Sequence, residues 1–191
     1  MKPLHYFFAI FIWLSSCISD NKPDFVYTKP ITADPTDVAP LTPQPGDSVV
    51  TINTGQLTPA ELIKYAETLK GIPYLYGSTD PAKGFDCSGY ITYVFNHFKV
   101  AVPRQSVGFA SVKKRINIKN AKTGDLILFT GTDSTVKVVG HMGILKVTPD
   151  KEITFLHSTS GKDYGVTETP LNPYYQGRYM HTVRIFPQND K

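Results

Sequence analysis

The spacing of apolar residues changes along this chain, and each change marks a different kind of segment. Residues 6–14 (YFFAIFIWL) form an unbroken apolar run, too short to span a bilayer as a helix. From residue 18 to about 56 no period of either kind persists. Pro23, Pro30, Pro35, Pro40, Pro43 and Pro45 interrupt a background of Asp, Thr and Ser. Proline at that density favours extended, solvated chain, which predicts a semi-rigid tether; only short stretches around residues 48–52 suit packing on a domain. Helical spacing begins at Thr58. Thr58-Pro59-Ala60-Glu61 combines an N-cap threonine, proline at the first helical position and glutamate at the third. Leu62, Ile63, Ala66 and Leu69 then form an apolar stripe, which Gly71 closes.

A loop rich in Gly, Tyr and Pro follows over residues 72–85, and a second helix is predicted from Cys87 to Phe98. Tyr90, Ile91, Val94, Phe95 and Phe98 cover so much of its surface that it should be central and buried. After Pro103 a short helical piece is expected over residues 107–114. The texture then becomes β-rich at 125–130 (DLILFT), 141–147 (HMGILKV), 152–158 (EITFLHS) and 178–186 (RYMHTVRIF), each bounded by Gly, Asp or Pro. Helices first and antiparallel strands after them predict an α+β fold. No internal repeat is present.

The N-terminal end bears on compartment. Lys2, the apolar run, Ser15 and Ser16 have the order of a secretory signal peptide. Leu14-Ser15-Ser16-Cys17 resembles a bacterial lipobox, in which the cysteine is acylated and becomes the first mature residue. A plain signal peptide with an incidental cysteine is the alternative. The expected organisation is therefore a lipoprotein signal peptide at 1–16, a lipidated Cys17 with a tether at 17–56, and one domain at 57–188. A multiply acylated Cys17 gains about 0.8 kcal/mol per buried methylene, enough for stable anchoring.

The formal net charge of +4, one unit less without Lys2, suits an anionic wall or membrane surface. It includes no arginine-rich block, so nucleic acid is not an expected partner. Of the two cysteines, Cys17 belongs to the lipobox and leaves Cys87 alone in the exported domain. An unpaired thiol outside the cell is either a reactive group or a buried apolar filler.

Position favours the first. Gly84-Phe85-Asp86-Cys87-Ser88-Gly89 puts the thiol in the first turn of the buried helix, with Asp86 as its cap. The positive end of the helix dipole and its free N–H groups favour thiolate, and such cysteines fall below the usual pKa of about 8.5. Asp86 opposes that, so a histidine partner is needed. His5 lies in the leader. His97 is at the far end of the cysteine's own helix, roughly 15 Å along its axis. His181 is in the last strand. His141 and His157 fall close together if their strands pair antiparallel through a turn at 148–151. Nucleophile, base and a residue that orients the base make a triad. A zinc site built on the two histidines lacks an acidic or cysteine third ligand at suitable spacing, so neither metal nor cofactor is expected.

Residues 57–186 resemble the NlpC-type branch of papain-like cell-wall peptidases. The resemblance rests on Gly71-Ile72-Pro73-Tyr74, Phe85-Asp86-Cys87-Ser88-Gly89-Tyr90, Val102-Pro103-Arg104-Gln105-Ser106, Lys122-Thr123-Gly124-Asp125-Leu126, Gly140-His141-Met142-Gly143-Ile144 and Leu156-His157-Ser158. It implies a papain-like NlpC-type fold, with the cysteine helix packed on an antiparallel sheet that bears the histidines. It implies Cys87 as nucleophile, His141 as general base and His157 as the residue orienting it. Tyr74, Asp86, Ser88 and Ser106 match substrate-pocket positions. The implied activity is hydrolysis of peptidoglycan stem peptides at the γ-D-glutamyl bond to the diamino acid. The expected setting is the cell envelope, membrane-attached through the lipobox cysteine Cys17, as a monomer. Two departures bear on the pocket: Gly77-Ser78 stands where a double glycine is common, and residues 131–139 make a longer excursion before His141. A thiol amidase or acyltransferase on the same fold, and a non-catalytic wall-binding lipoprotein, are the rival readings.

Overall fold

The computed structural model describes residues 49–191. The leader, Cys17 and the tether as far as residue 48 lie outside the described residues. Helix α1 spans Pro59–Glu67, and the capping box is complete: the Glu61 amide donates to the Thr58 hydroxyl, and Glu61 accepts from the Thr58 amide. A two-stranded ribbon, β1 (Thr79–Asp80) and β2 (Gly84–Phe85), leads into α2 (Cys87–His97). A 3-10 turn covers Ser106–Ser111, where a short helical piece was expected. Strands β3 (Arg115–Ile116), β4 (Leu126–Thr130), β5 (Val139–Val147), β6 (Ile153–Thr159) and β7 (Gly165–Pro170) follow. Helix α3 (Pro173–Arg178) runs directly into β8 (Tyr179–Val183). The larger sheet has six antiparallel strands in the order β3-β8-β4-β5-β6-β7.

Apolar residues cover both faces of this sheet. Leu126, Leu128, Met142, Ile144, Leu156 and Val183 join the core that contains Leu62, Tyr90, Ile91, Val94 and Phe95 of the two long helices. Ile127, Phe129, Leu145 and Phe155 pack on the opposite face with Tyr175 of α3. Strand β4 is buried along its whole length, which explains its continuous apolar run. Full burial of a side chain the size of Ile91 or Phe95 contributes roughly 1.5–3 kcal/mol each.

Several boundaries differ from the sequence reading. Val50 bridges Val112, and Ile52, Thr54 and Leu57 are buried, so the packed domain takes in residues 50–56 assigned to the tether. It continues past residue 188, since Asn189 is buried and donates to the Thr123 carbonyl and to Asp125. The predicted strand at 178–186 is shorter, because Arg178 ends α3 and residues 184–186 leave the ladder. Strand β7 and helix α3 fall in a stretch read as connection.

Two glycines permit contacts on which the cleft depends. A Cβ on Gly89, in the first turn of α2, would lie 2.0 Å from the Ser78 carbonyl oxygen. Gly140 is skipped by the β4–β5 ladder, where Phe129 pairs with His141 but Thr130 pairs with Val139. A Cβ there would lie 2.7 Å from the Gly131 Cα. We therefore expect Gly89→Ala to cost about 2–3 kcal/mol, lowering the melting temperature by roughly 5–10 °C. Gly177→Ala, where a Cβ meets nothing within 4 Å, should be neutral or stabilising by up to about 1 kcal/mol. Thermal melts of the two variants against the native chain check both; equal losses would refute the close-approach argument.

Candidate active site

The position of Cys87 is set by the strap of residues 73–78. Phe85 donates to the Pro73 carbonyl, Leu75 to the Phe85 carbonyl, and Asp86 to the Ser78 carbonyl. Asp86 then caps α2: its Oδ1 accepts from the Gly89 amide at 2.5 Å. Its carboxylate is also paired with Arg104, through Nη2 to Oδ2 at 2.8 Å and Nη1 to Oδ1 at 3.2 Å. Arg104 Nη1 also donates to Ser88 Oγ. Arg104 was quoted in the sequence motif but given no role; only its reach across eighteen positions to Asp86 reveals one.

Cys87 Sγ points at the bulged Gly140, with its thiol 3.9 Å from the carbonyl oxygen. Antiparallel pairing of β5 and β6, as read from the sequence, brings His141 Nε2 within 2.9 Å of His157 Nδ1. His157 Nε2 lies 2.8 Å from Thr169 Oγ1 on β7. Both rings are buried, and the His141 ring lies nearly parallel to those of Phe129 and Tyr175. If His141 takes a proton at Nδ1, that atom starts bare and Nε2 carries the hydrogen. Nε2 then donates to His157 Nδ1, and His157 Nε2–H donates to Thr169. One tautomer assignment satisfies the whole row.

Burial is the leading influence on the charges. It pushes the Cys87 thiol up to about 11, Asp86 adds to the rise, and the backbone amides of Ser88 and Cys87 oppose it. Burial, then the His157 and Arg178 charges, hold His141 well below its usual value. Burial and Arg178 hold His157 down to about 3. The tyrosine beside the thiol, Tyr74, is pushed up to about 12 by burial and by Cys87. For Cys87 and His141, both directions favour a neutral thiol and a neutral imidazole. The thiol's direction runs against the expected acidification by its helix start, because loss of hydration opposes the dipole.

The cleft has two lobes that meet at Tyr74, Cys87 and Gly140. One, about 670 Å³, contains His141, Thr169 and Arg178; the other, about 620 Å³, contains Asp86, Ser88, Arg104 and Ser106. The pocket residues expected from sequence are thus gathered with the thiol, while His157 sits behind His141. Ser106 Oγ donates to the Val139 carbonyl at 3.4 Å. The excursion at 131–139 contributes one end to each lobe. His97 stacks on Tyr65, and His181 does not line the cleft. Sequence reasoning missed Thr169, Tyr175 and Arg178. The first lies on a polar strand without an alternating signal, but Asn172-Pro173 was a readable cap-and-proline start for α3.

Residues 71–184 match the sequence profile of the NlpC/P60 family. The chain belongs to this family. It is 33% identical over 129 residues to the gamma-DL-glutamyl hydrolase of Bacillus subtilis, a match covering 67% of this chain but 30% of that protein. It is 30% identical over 123 residues to the murein DD-endopeptidase MepS/murein LD-carboxypeptidase of Escherichia coli, covering 63% of this chain and 59% of that one. The chain thus spans less than a third of the length of the first relative. Among solved structures, an NlpC/P60 family protein from Bacillus cereus superposes with a TM-score of 0.61 at 25% identity, covering 71% of this chain and 42% of that one. This likeness accords with the α+β, papain-like NlpC-type fold expected from the sequence.

The charge state has a direct readout. Alkylation of Cys87 by iodoacetamide should accelerate about tenfold per pH unit from pH 7 to pH 10 without levelling off, because the reactive thiolate fraction grows toward a pKa of about 11. Rates followed by intact mass would show it. A plateau reached near pH 6 would mean a resident thiolate.

Proposed function

We propose that this protein is a peptidoglycan hydrolase, a cysteine endopeptidase that cuts stem peptides through an acyl-enzyme on Cys87. The observation that carries the reading is the hydrogen-bonded row His141, His157 and Thr169 in the cleft that Cys87 lines, in a chain of the NlpC/P60 family. His141 Nδ1 takes the thiol proton as Sγ attacks the scissile carbonyl. Forming the ion pair at the moment of attack suits two groups that are neutral at rest. The Cys87 backbone N–H is the oxyanion donor, and one such donor contributes roughly 3–4 kcal/mol in comparable sites. His141 then delivers its proton to the leaving amine, and water releases the acyl group. His157 and Thr169 keep His141 in the productive tautomer.

The bond proposed is that between γ-D-glutamate and the diamino acid. The name of the Bacillus subtilis relative supports a γ-glutamyl bond, whereas that of the Escherichia coli relative points to DD and LD bonds of murein. Tyr74, Ser88 and Ser106 supply hydrogen-bonding groups on the acyl side. Asp86 takes part there paired to Arg104, as a carboxylate–guanidinium unit rather than a free anion. Because Asp86 also caps α2, its substitution would disturb the nucleophile, so substrate changes test this side more cleanly than mutation.

We further propose export and anchoring to a membrane through acylated Cys17, with the tether giving reach to the wall. Among the described residues no helix is long and apolar enough to cross a membrane.

Purified wall and synthetic stem peptides, incubated with the full chain and read by mass, should yield products ending in D-glutamate. Cys87→Ala should yield none while keeping the native melting temperature. Products ending in D-alanine would move the cut to the cross-link; activity in the alanine variant would remove Cys87 from the mechanism. Separately, Cys17→Ser should shift the protein from the membrane fraction to the soluble fraction on immunoblots. Unchanged membrane association would refute acylation at Cys17.

A further inference from the structure

His141 lines the 670 Å³ lobe and not the other. The residue that protonates the leaving amine must sit on the leaving side of the scissile bond. The Arg178 lobe therefore receives the amine fragment, and the Asp86–Arg104 lobe receives the acyl fragment. This assignment rests on the peptidase reading above.

Arg178 is 7% exposed, at the end of α3. Its Nε donates to the Gly131 carbonyl at 2.9 Å, Nη2 to the Thr130 carbonyl at 2.9 Å, and Nη1 to Tyr174 Oη at 2.8 Å. The guanidinium carbon lies 5.0 Å from the Tyr174 ring centroid and 5.6 Å from that of Tyr175. Every one of these partners is neutral. Among the described residues no carboxylate forms an ion pair with Arg178, although Asp163 lines the same lobe. A guanidinium carries five N–H donors, so the three bonds leave two unspent. Buried arginine is normally paired with a counter-ion, and an uncompensated one is costly to keep.

We propose that Arg178 anchors a carboxylate on the fragment that leaves as the amine, so that the protein selects substrates with an anionic group on that side of the cut. Tyr174, 58% exposed, accepts from Arg178 and keeps its own hydroxyl proton to donate to the same anion. Lys162 lines the lobe and adds a second positive charge. The planar fork of the guanidinium suits a carboxylate better than a point cation would. There is also a consequence for the chemistry. The Arg178 charge opposes protonation of His141 and His157, and a bound carboxylate offsets it. An engaged leaving fragment therefore helps His141 hold the proton that it must deliver.

The test compares two synthetic stem peptides that differ in one group, the α-carboxyl of the residue after the cut, free in one and carboxamide in the other. The readout is the ratio of their kcat/KM values, which cancels any general loss of folding or activity. The native protein should prefer the free carboxylate by about ten- to a hundredfold. Arg178→Gln should bring the ratio close to one, and Arg178→Lys should keep part of it. If both variants lose activity on the two peptides equally and keep the native ratio, Arg178 is only a staple between α3 and β4, and the proposal fails. A native ratio near one overturns it without any variant and leaves the peptidase reading intact. A native protein that cuts neither peptide overturns that reading and this assignment together.

Discussion

Asp86 holds the first turn of α2 through three different contacts, and the cleft takes its shape from them. Its carboxylate caps the Gly89 amide, accepts from Ser88, and forms an ion pair with Arg104, which itself reaches the Gly77 carbonyl. The turn lies against the strap closely enough that a Cβ on Gly89 would collide with the Ser78 carbonyl. Cys87 is thus fixed between the strap of residues 73–78 and the bulge at Gly140. A carboxylate this well bonded is also a charge one residue from the Cys87 thiol. Together with burial, it raises the thiol's pKa and favours the protonated form.

That protonation state has a structural counterpart in the histidines. Two buried imidazoles in direct contact repel each other if both are charged, and Arg178 adds a third positive charge nearby. The neutral row from His141 through His157 to Thr169 avoids this cost and leaves a single nitrogen bare. On the proposed mechanism the site stores no charge separation at rest. It creates an ion pair as the bond to substrate forms, when the fixed N–H groups of the α2 start face a developing oxyanion rather than water.

Much of this arrangement was legible in local sequence. The capping box at Thr58, the lone thiol behind an Asp cap, and apolar runs of strand length identified both long helices and the strands carrying His141 and His157. Their proximity followed from one assumed turn. What stayed hidden depends on contacts across long separations. Strand β7 is polar and lies at the sheet edge, so neither period marks it, and Thr169 gains meaning only from its neighbour His157. Residues 50–56 look like tether because one or two buried side chains make no period, yet Ile52 finds the core. The thiol's acidity could not be judged from helix position alone, since hydration lost on folding is absent from a motif.

The two lobes draw on different parts of the chain, with a functional consequence on the proposed reading. The acyl-side lobe comes mainly from residues 74–107, the same segment that builds and caps α2. A substitution there that alters recognition of the acyl fragment also acts on the nucleophile's support, as the Asp86–Arg104 pair illustrates. The leaving-side lobe comes mainly from residues 131–132 and 159–178, on connections, on β6 and β7 and on α3, beyond the helix that carries Cys87. It meets Cys87 at the junction with the other lobe, and His141 and His157 through the Tyr175 ring and Thr169. Selection of the departing fragment can therefore change while the thiol, its cap and its oxyanion donor keep their geometry. Members of one family that share the cysteine helix are then free to cut different bonds, in keeping with the different bonds named for the two relatives.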